Sequence, residues 1–160
     1  MARSTNTQFA VAVHVLTYLA GTTGHPVSSD KLSASTQVNP VHVRRVLGPL
    51  RNAGLVASHP GAHGGWLLAR GARDITLAEI WRILQGGDPV LAMHDPDPAC
   101  ATARTVQSAL TALDGIIADA ITARLESVTV HDVVAGRTEH PRPPGATNSP
   151  ILPAATTPSS

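Results

Sequence analysis

The stretch NPVHVRRVLGPLRNAGLVASHPGAHGGWLLAR, residues 39–70, contains the signals that decide the fold of this chain. Asn39 and Pro40 are typical of a helix start, because Asn caps free backbone N–H groups and Pro suits the first turn. Further along, GLVASH (54–59) and WLLAR (66–70) have strand character and flank PGAHGG, whose glycines permit a tight loop. The stretch therefore predicts a helix followed by a β-hairpin.

Two more helices are predicted ahead of this stretch. Apolar residues recur at helical spacing over 6–20, and Gly21 ends the run. Ser28 or Ser29 can cap a short helix that ends near Thr36, just before the next helix begins. The helix that ends near Thr36 and the helix that begins at Asn39 together form a helix-turn-helix. A hairpin directly after a helix-turn-helix makes a winged helix. The predicted fold class is mainly α with a small β-hairpin wing.

The helix that begins at Asn39 has one apolar side and one polar side. Its apolar positions fall on one face at the helical period: Val43, Val46, Leu47 and Leu50. The positions turned the other way are Val41, Arg45, Gly48 and Asn52, and Arg44 and Arg51 lie along one flank. Arg can bond guanine or clamp a phosphate, and Asn can pair with adenine. This helix is the predicted recognition helix.

The charge of the chain is divided unevenly along its length. The segment 31–73 contains six basic residues, three histidines and no acidic residue, whereas 74–140 contains ten acidic and four basic residues. A basic block of this kind is typical of a surface that binds a polyanion. A solvated positive face with no partner is the alternative reading.

Composition excludes several other classes of protein. The length of 160 residues suits one domain plus a tail, and the scarcity of aromatic residues predicts a core of Val, Leu, Ile and Ala. No apolar run reaches the roughly 18 residues of a membrane span, so we expect a cytoplasmic protein. A single cysteine cannot build a disulfide framework or a four-thiolate zinc site. The Gly-rich loop lacks the Lys and Ser or Thr of a phosphate-binding loop.

No catalytic pattern is present, so we expect that the chain is not an enzyme. There is no paired-carboxylate pattern, nucleophile elbow or zinc-spaced histidine pair. The string HDPDPAC, residues 94–100, resembles a mixed metal site, although Pro-Asp turns produce such strings without metal.

The C-terminal half predicts a further helix pair. Thr76 and Glu79 form a capping-box pattern for a helix that Gly86 ends. Beyond residues 87–99, apolar residues alternate in steps of four and three, which predicts a helix whose seam packs on a partner helix. The seam residues are Val106, Leu110, Leu113, Ile117 and Ala120, although an intrachain core would also explain this spacing.

The predicted domains are a winged-helix DNA-binding domain (1–86), an effector or linker loop (87–99), a dimerisation helix with a short terminal helix from Thr129 to Val134 (100–136), and a disordered Pro/Ser/Thr-rich tail (137–160).

The chain resembles the Rrf2 family of bacterial transcription regulators in the order and spacing of three motifs. These motifs are NPVHVRRVLGPLRNAGLV, GGWLLAR and DITLAEIWRILQG. Members of this family include the iron-sulfur cluster regulator and the cysteine-metabolism repressor. The resemblance covers about residues 6–136 and implies a dimeric winged-helix protein that binds DNA. Family members often have an arginine before the first wing glycine, where this chain has Pro60. The candidate DNA-binding residues are Ser28, Ser29, Asn39, Val41, His42, Arg44, Arg45, Arg51, His63 and Arg70.

The function predicted on these grounds is a repressor that binds double-stranded DNA as a homodimer. Two recognition helices related by symmetry would read half-sites of a palindromic operator one helical turn apart, roughly 34 Å. The alternative is a winged helix used for protein contacts, acting on a metabolic enzyme. A basic recognition helix favours DNA over that alternative.

Cys100 is the residue that bears on cofactors. In the iron-sulfur branch of the family, closely spaced cysteines ahead of the long helix bind the cluster, whereas this chain has Cys100 alone, with His94, Asp95 and Asp97 nearby. A cluster prefers thiolate ligands, so we expect no iron-sulfur cluster, no other cofactor and no metal. Cys100 is a possible redox sensor, since a helix start favours a thiolate. The two aspartates oppose this, and an inert cysteine is the alternative.

Overall fold

The computed structural model of the chain describes residues 5–22, 24–91 and 93–138. Most of the tail predicted for 137–160 lies outside these residues. The elements in chain order are helices α1 (Thr5–Gly21), α2 (Ser29–Thr36) and α3 (Pro40–Asn52), strands β1 (Val56–His59) and β2 (Gly65–Leu68), a 3₁₀ turn (Ala72–Asp74), and helices α4 (Leu77–Gln85), α5 (Ala101–Glu126) and α6 (Val130–Val134). The predicted winged helix and long C-terminal helix are therefore confirmed. None of the helices in these ranges is both long and apolar enough to cross a membrane.

The helix-turn-helix begins and turns where the capping residues predict. The Ser28 hydroxyl accepts the backbone N–H of Lys31 at 3.3 Å and caps α2. The Asn39 side-chain oxygen accepts the N–H of Val41 at 2.8 Å and caps α3. Between the two helices, Gln37 has a left-handed backbone with φ 54°, which reverses the chain direction. Local side-chain chemistry thus fixes where α2 and α3 begin, and the backbone of Gln37 turns the chain between them.

The core lies where α1, α2, α3 and α4 meet. All four apolar positions predicted for the inner side of α3 are buried, namely Val43, Val46, Leu47 and Leu50. They join buried residues of the neighbouring elements, among them Val15, Leu16, Leu32, Leu55, Ile75 and Ile80. Phe9 on α1 meets Trp81 on α4 edge to face, with ring centroids 5.3 Å apart. One side of α3 is therefore fixed in the core.

The wing is a two-stranded antiparallel sheet extended by one bridge. Val56 pairs with Leu68 and His59 with Gly65 at the two ends of the ladder. Each strand is shorter than predicted, and on the β1 side this is because the N–H groups at the start of GLVASH still bond carbonyls of α3. Val27 forms an antiparallel bridge with Trp66. The wing is thereby joined to the segment that leads into α2.

The chain after the long helix returns to the core of the winged-helix body. The N–H of Leu77 bonds the carbonyl of Val128 at 2.8 Å, and the N–H of Val130 bonds the carbonyl of Ile75 at 3.0 Å. Val128 and Val130 are buried in the main cluster. The winged-helix unit predicted for 1–86 thus draws part of its core from the segment beyond α5.

Helix α6 is held by a complete capping box at its start. Thr129 accepts the N–H of Asp132 at 3.2 Å, and the Asp132 carboxylate accepts both the hydroxyl and the N–H of Thr129. The hydroxyl and the N–H of Thr129 lower the pKa of Asp132 below 3.8, and the nearby Arg137 adds to this. The short terminal helix predicted from Thr129 to Val134 is confirmed.

Candidate nucleic-acid interface

The side of α3 that faces away from the core is exposed to solvent and mostly polar. Arg45 and Asn52 are exposed, Gly48 is half-buried, and Val41 is 58% exposed. Arg44 and Arg51 are exposed along one flank of the same helix. Since the opposite side is in the core, α3 presents a continuous cationic surface to solvent.

The cations of this surface have no partners within the described part of the chain. No hydrogen bond or ion pair engages the side chains of Lys31, Arg44, Arg45 or Arg51 there. The arginines of the C-terminal half are bonded to their own chain, as in Arg82 with Glu126, Arg137 with Asp132 at 3.3 Å, and Arg104 with the carbonyl of Pro98 at 2.9 Å. Uncompensated positive charge is therefore concentrated on α3, because α2 carries Asp30 beside Lys31.

Three of the candidate residues use their side chains to position the helices. Ser28 and Asn39 cap α2 and α3, and Ser29 accepts the indole N–H of Trp66 at 3.1 Å. Capping leaves the hydroxyl proton of Ser28 and the amide group of Asn39 available as donors. Ser28 and Asn39 therefore fix where α2 and α3 begin, and Ser29 joins the start of α2 to the wing.

A shallow cavity of about 360 Å³ lies at the start of α3. Its lining residues are Asn39, Val41, His42 and Arg45. His42 is half-buried, whereas Val41 and Arg45 are exposed. Two side chains of different chemistry, one apolar and one cationic, therefore border the same depression on the cationic surface.

The wing contributes less free charge than the sequence predicts. His63 is exposed near the tip of the wing. Arg70, however, donates to the Glu79 carboxylate at 2.5 Å, which neutralises much of its charge. Glu79 therefore does not complete the predicted capping box, although its N–H bonds the Thr76 hydroxyl at 3.2 Å.

Sequence reasoning missed a second cavity, of about 400 Å³, between the wing and α2. His25 and Lys31 line it together with His63 and Ser28. Lys31 carried a signal, because it belongs to the basic block and lies in the first turn of α2. No sequence signal pointed to His25, because its loop reaches the wing through the Val27–Trp66 bridge, which joins segments distant in sequence.

The segment ahead of α5 contains Cys100 and the possible donors His94, Asp95 and Asp97. Among the described residues, no group of three or more His, Cys, Asp or Glu side chains is arranged to hold a metal ion. Cys100 is exposed at the N-cap of α5, and Asp97 bonds the N–H of Ala99 at 2.9 Å. The chain contains one cysteine, whereas an iron-sulfur cluster prefers several thiolates, so these residues do not fit a cluster.

Helix α5 leaves an apolar line uncovered. None of its residues, all of which the structure describes, is fully buried. Val106, Leu113 and Ala120 of the predicted seam are exposed, whereas Leu110 and Ile117 are half-buried. The exposed apolar line, called here the α5 seam, repeats at alternating steps of three and four: Val106, Ala109, Leu113, Ile116, Ala120 and Ala123.

Known proteins resemble this chain over nearly all of its described length. The family model described as "Iron-dependent Transcriptional regulator" (Rrf2) matches residues 5–136. YwnA of Bacillus subtilis, named as an HTH-type transcriptional regulator, is 31% identical over 130 residues, which are 81% of this chain and 96% of YwnA.

Solved structures show the same architecture. CymR, the global cysteine regulator of B. subtilis, is 28% identical with a TM-score of 0.60, over 85% of this chain and 98% of CymR. A crystal structure described as a transcriptional regulator from Lactobacillus plantarum is 26% identical with a TM-score of 0.69, over 83% of this chain and 91% of that chain. The family model matches residues 5–136, and the winged helix and the exposed cations of α3 agree with that match. This chain therefore belongs to the Rrf2 family of transcriptional regulators.

Proposed function

We propose that this chain is a sequence-specific DNA-binding repressor that acts in the cytoplasm as a homodimer on a palindromic operator. The observation that carries the proposal is the exposed surface of α3, where Arg45 on the outward side and Arg44 and Arg51 on the flank have no partners in the described chain. Each phosphate that such a cation neutralises releases counterions, which favours binding to duplex DNA. Arg45 lies in the middle of that side and would contact bases, whereas Arg44 and Arg51 would hold phosphates.

The proposed dimer uses the α5 seam. Its alternating spacing matches two helices that pack along each other, and its alanines allow the backbones to approach closely. Ile116, at 65% exposed, and Leu113, at 47%, would lose contact with water in such a pair. A dimer with two-fold symmetry would present two recognition helices to half-sites one helical turn apart.

The proposed regulator works without an iron-sulfur cluster or another cofactor. The donor set ahead of α5 supports this, because it offers one thiolate per subunit. The regulator would then respond to a signal that does not act through a bound cluster or cofactor. Cys100, exposed at the N-cap of α5, is accessible to oxidants and is the residue to test for redox sensing.

Selection from a random-duplex library tests the proposal. The purified protein is incubated with 30-base-pair random duplexes, and the bound fraction is amplified and sequenced over several rounds. We expect one two-fold symmetric sequence to dominate. A pool that stays random would contradict the proposal and favour the protein-contact alternative.

A further inference from the structure

Val41 is the exception among the exposed apolar side chains. Five large apolar side chains are exposed in the described part of the chain: Val41, Val106, Leu113, Ile116 and Val134. All but Val41 lie on α5 or α6. Val41 is on α3, 58% exposed, among the unpartnered arginines. Phosphate offers an apolar side chain no favourable contact, so a base edge is the part of DNA that Val41 could contact favourably.

The backbone at Val41 is held firmly. Its N–H bonds the Asn39 side-chain oxygen at 2.8 Å, while the N–H groups of His42 and Val43 bond the Asn39 carbonyl at 2.9 and 3.1 Å. Pro40 fixes the preceding φ angle in the first turn. A β-branched side chain on a helix has one strongly preferred rotamer. The two methyl groups of Val41 therefore lie in a fixed place at the start of α3, at little entropic cost on binding.

We propose that Val41 selects thymine, by packing its methyl groups against the 5-methyl group of that base in the major groove. Thymine is the base whose major-groove edge carries a methyl group, and apolar side chains recognise it by direct contact. The start of a recognition helix is the part that reaches base edges in helix-turn-helix proteins. This inference rests on the proposed function, because it names the base that one residue of the DNA-binding surface reads.

Arg45 extends the inference to a second base. Val41 and Arg45 are one helical turn apart on the same side of α3 and border the same cavity. Side chains so spaced have Cβ atoms about 5–6 Å apart, and successive base pairs are about 3.4 Å apart. Arg45 can fork to the O6 and N7 of guanine. Each half-site therefore contains a thymine with a guanine one or two base pairs away.

Deoxyuridine tests the thymine contact, because it lacks only the 5-methyl group. In the operator found by selection, each thymidine is replaced in turn by deoxyuridine, and affinity is measured by fluorescence anisotropy. For the natural chain we expect about a fourfold loss of affinity at one thymine per half-site, because binding no longer buries that methyl group. With Val41→Ala, that thymine should lose its sensitivity, since the contact is already gone. Val134→Ala, which truncates an exposed valine on α6, should behave like the natural chain.

The other outcomes separate the inference from the proposed function. A methyl-sensitive thymine that stays sensitive in Val41→Ala would overturn the inference, because another residue would be reading the methyl group. Selective binding with no methyl-sensitive thymine would overturn it too, while leaving the proposed function intact. Failure of selection to yield any operator would overturn the proposed function itself.

Discussion

Trp66 donates its indole N–H to the hydroxyl of Ser29 at 3.1 Å, and this bond joins the wing to the first turn of α2. The backbone of Trp66 also pairs with Val27 through two hydrogen bonds of 3.0 and 2.8 Å. The wing and the helix-turn-helix therefore keep a fixed separation before any DNA is bound. Pre-organisation of this kind reduces the entropy that binding must otherwise remove.

Gly65 is required for the junction between the wing and Val27. Its φ is +153°, and an added Cβ would lie 2.4 Å from the carbonyl oxygen of Val27. We predict that Gly65→Ala lowers the free energy of unfolding by about 1–3 kcal/mol, measured by urea denaturation. Gly87→Ala is the control, because nothing lies within 4 Å of a Cβ there. Equal stability of the two variants would show that the wing does not pack against Val27 as described.

Arg45 and Arg51 should affect DNA binding in different ways. Arg45 lies on the outward side of α3, whereas Arg51 lies on its flank. We predict that Arg45→Ala costs about 1–3 kcal/mol and relaxes sequence preference. Arg51→Ala should weaken binding to all sequences alike and reduce the salt slope by about one unit. Titrations of operator and scrambled duplexes at several salt concentrations measure both effects, and indifference to both changes would reject α3 as the recognition helix.

The α5 seam should be needed for dimerisation. A carboxylate at Leu113 would have to be buried unpaired in the proposed helix pair, at a cost large enough to separate the subunits. We predict that Leu113→Asp sediments as a monomer and binds the full operator weakly. Ser108→Asp adds the same charge at an exposed position off the seam and should remain a dimer. A dimeric Leu113→Asp protein would mean that the subunits associate through another surface.

The C-terminal tail should be dispensable. Residues 141–160 are rich in Pro, Ser, Thr and Gly and show no apolar periodicity, so we expect them to take no part in the dimer interface. We predict that their removal leaves dimerisation and operator binding unchanged. Size-exclusion chromatography and a binding titration measure the two properties. A truncated protein that elutes as a monomer would be evidence against the α5 seam as a sufficient interface.

The protein should contain no iron after anaerobic purification. One thiolate per subunit does not match a cluster that prefers several, so we expect a colourless protein without iron by metal analysis.

Peroxide treatment of the natural chain and of Cys100→Ser tests whether the Cys100 thiol senses oxidants. Identical operator binding by both proteins would reject redox sensing, whereas a loss confined to the natural chain would establish it.

Much of the DNA-binding half could be predicted because its signals are local. Ser28 and Asn39 cap the helices that follow them, and each bond involves residues only a few positions apart. The inner side of α3 follows from the helical period alone. Such features depend little on the rest of the fold.

Other features depended on contacts between distant segments. Glu79 is three residues after Thr76, which predicts a capping box. The Glu79 carboxylate instead bonds Arg70, which lies outside the helix. The predicted seam contains Ile117, although the adjacent Ile116 is also apolar and fits the alternating spacing equally well. In the structure, where α5 contacts α4, Ile117 is half-buried and Ile116 is exposed.

Immunoprecipitation of the protein from its own cells, with sequencing of the bound DNA, tests the central claim most directly. The natural chain and Arg45→Ala are compared at equal expression. We predict that the natural chain enriches a small set of promoter fragments sharing a two-fold symmetric sequence, with half-sites one helical turn apart, and that Arg45→Ala loses this enrichment. DNA recovered evenly across the genome by both proteins would contradict the claim that α3 reads a specific operator.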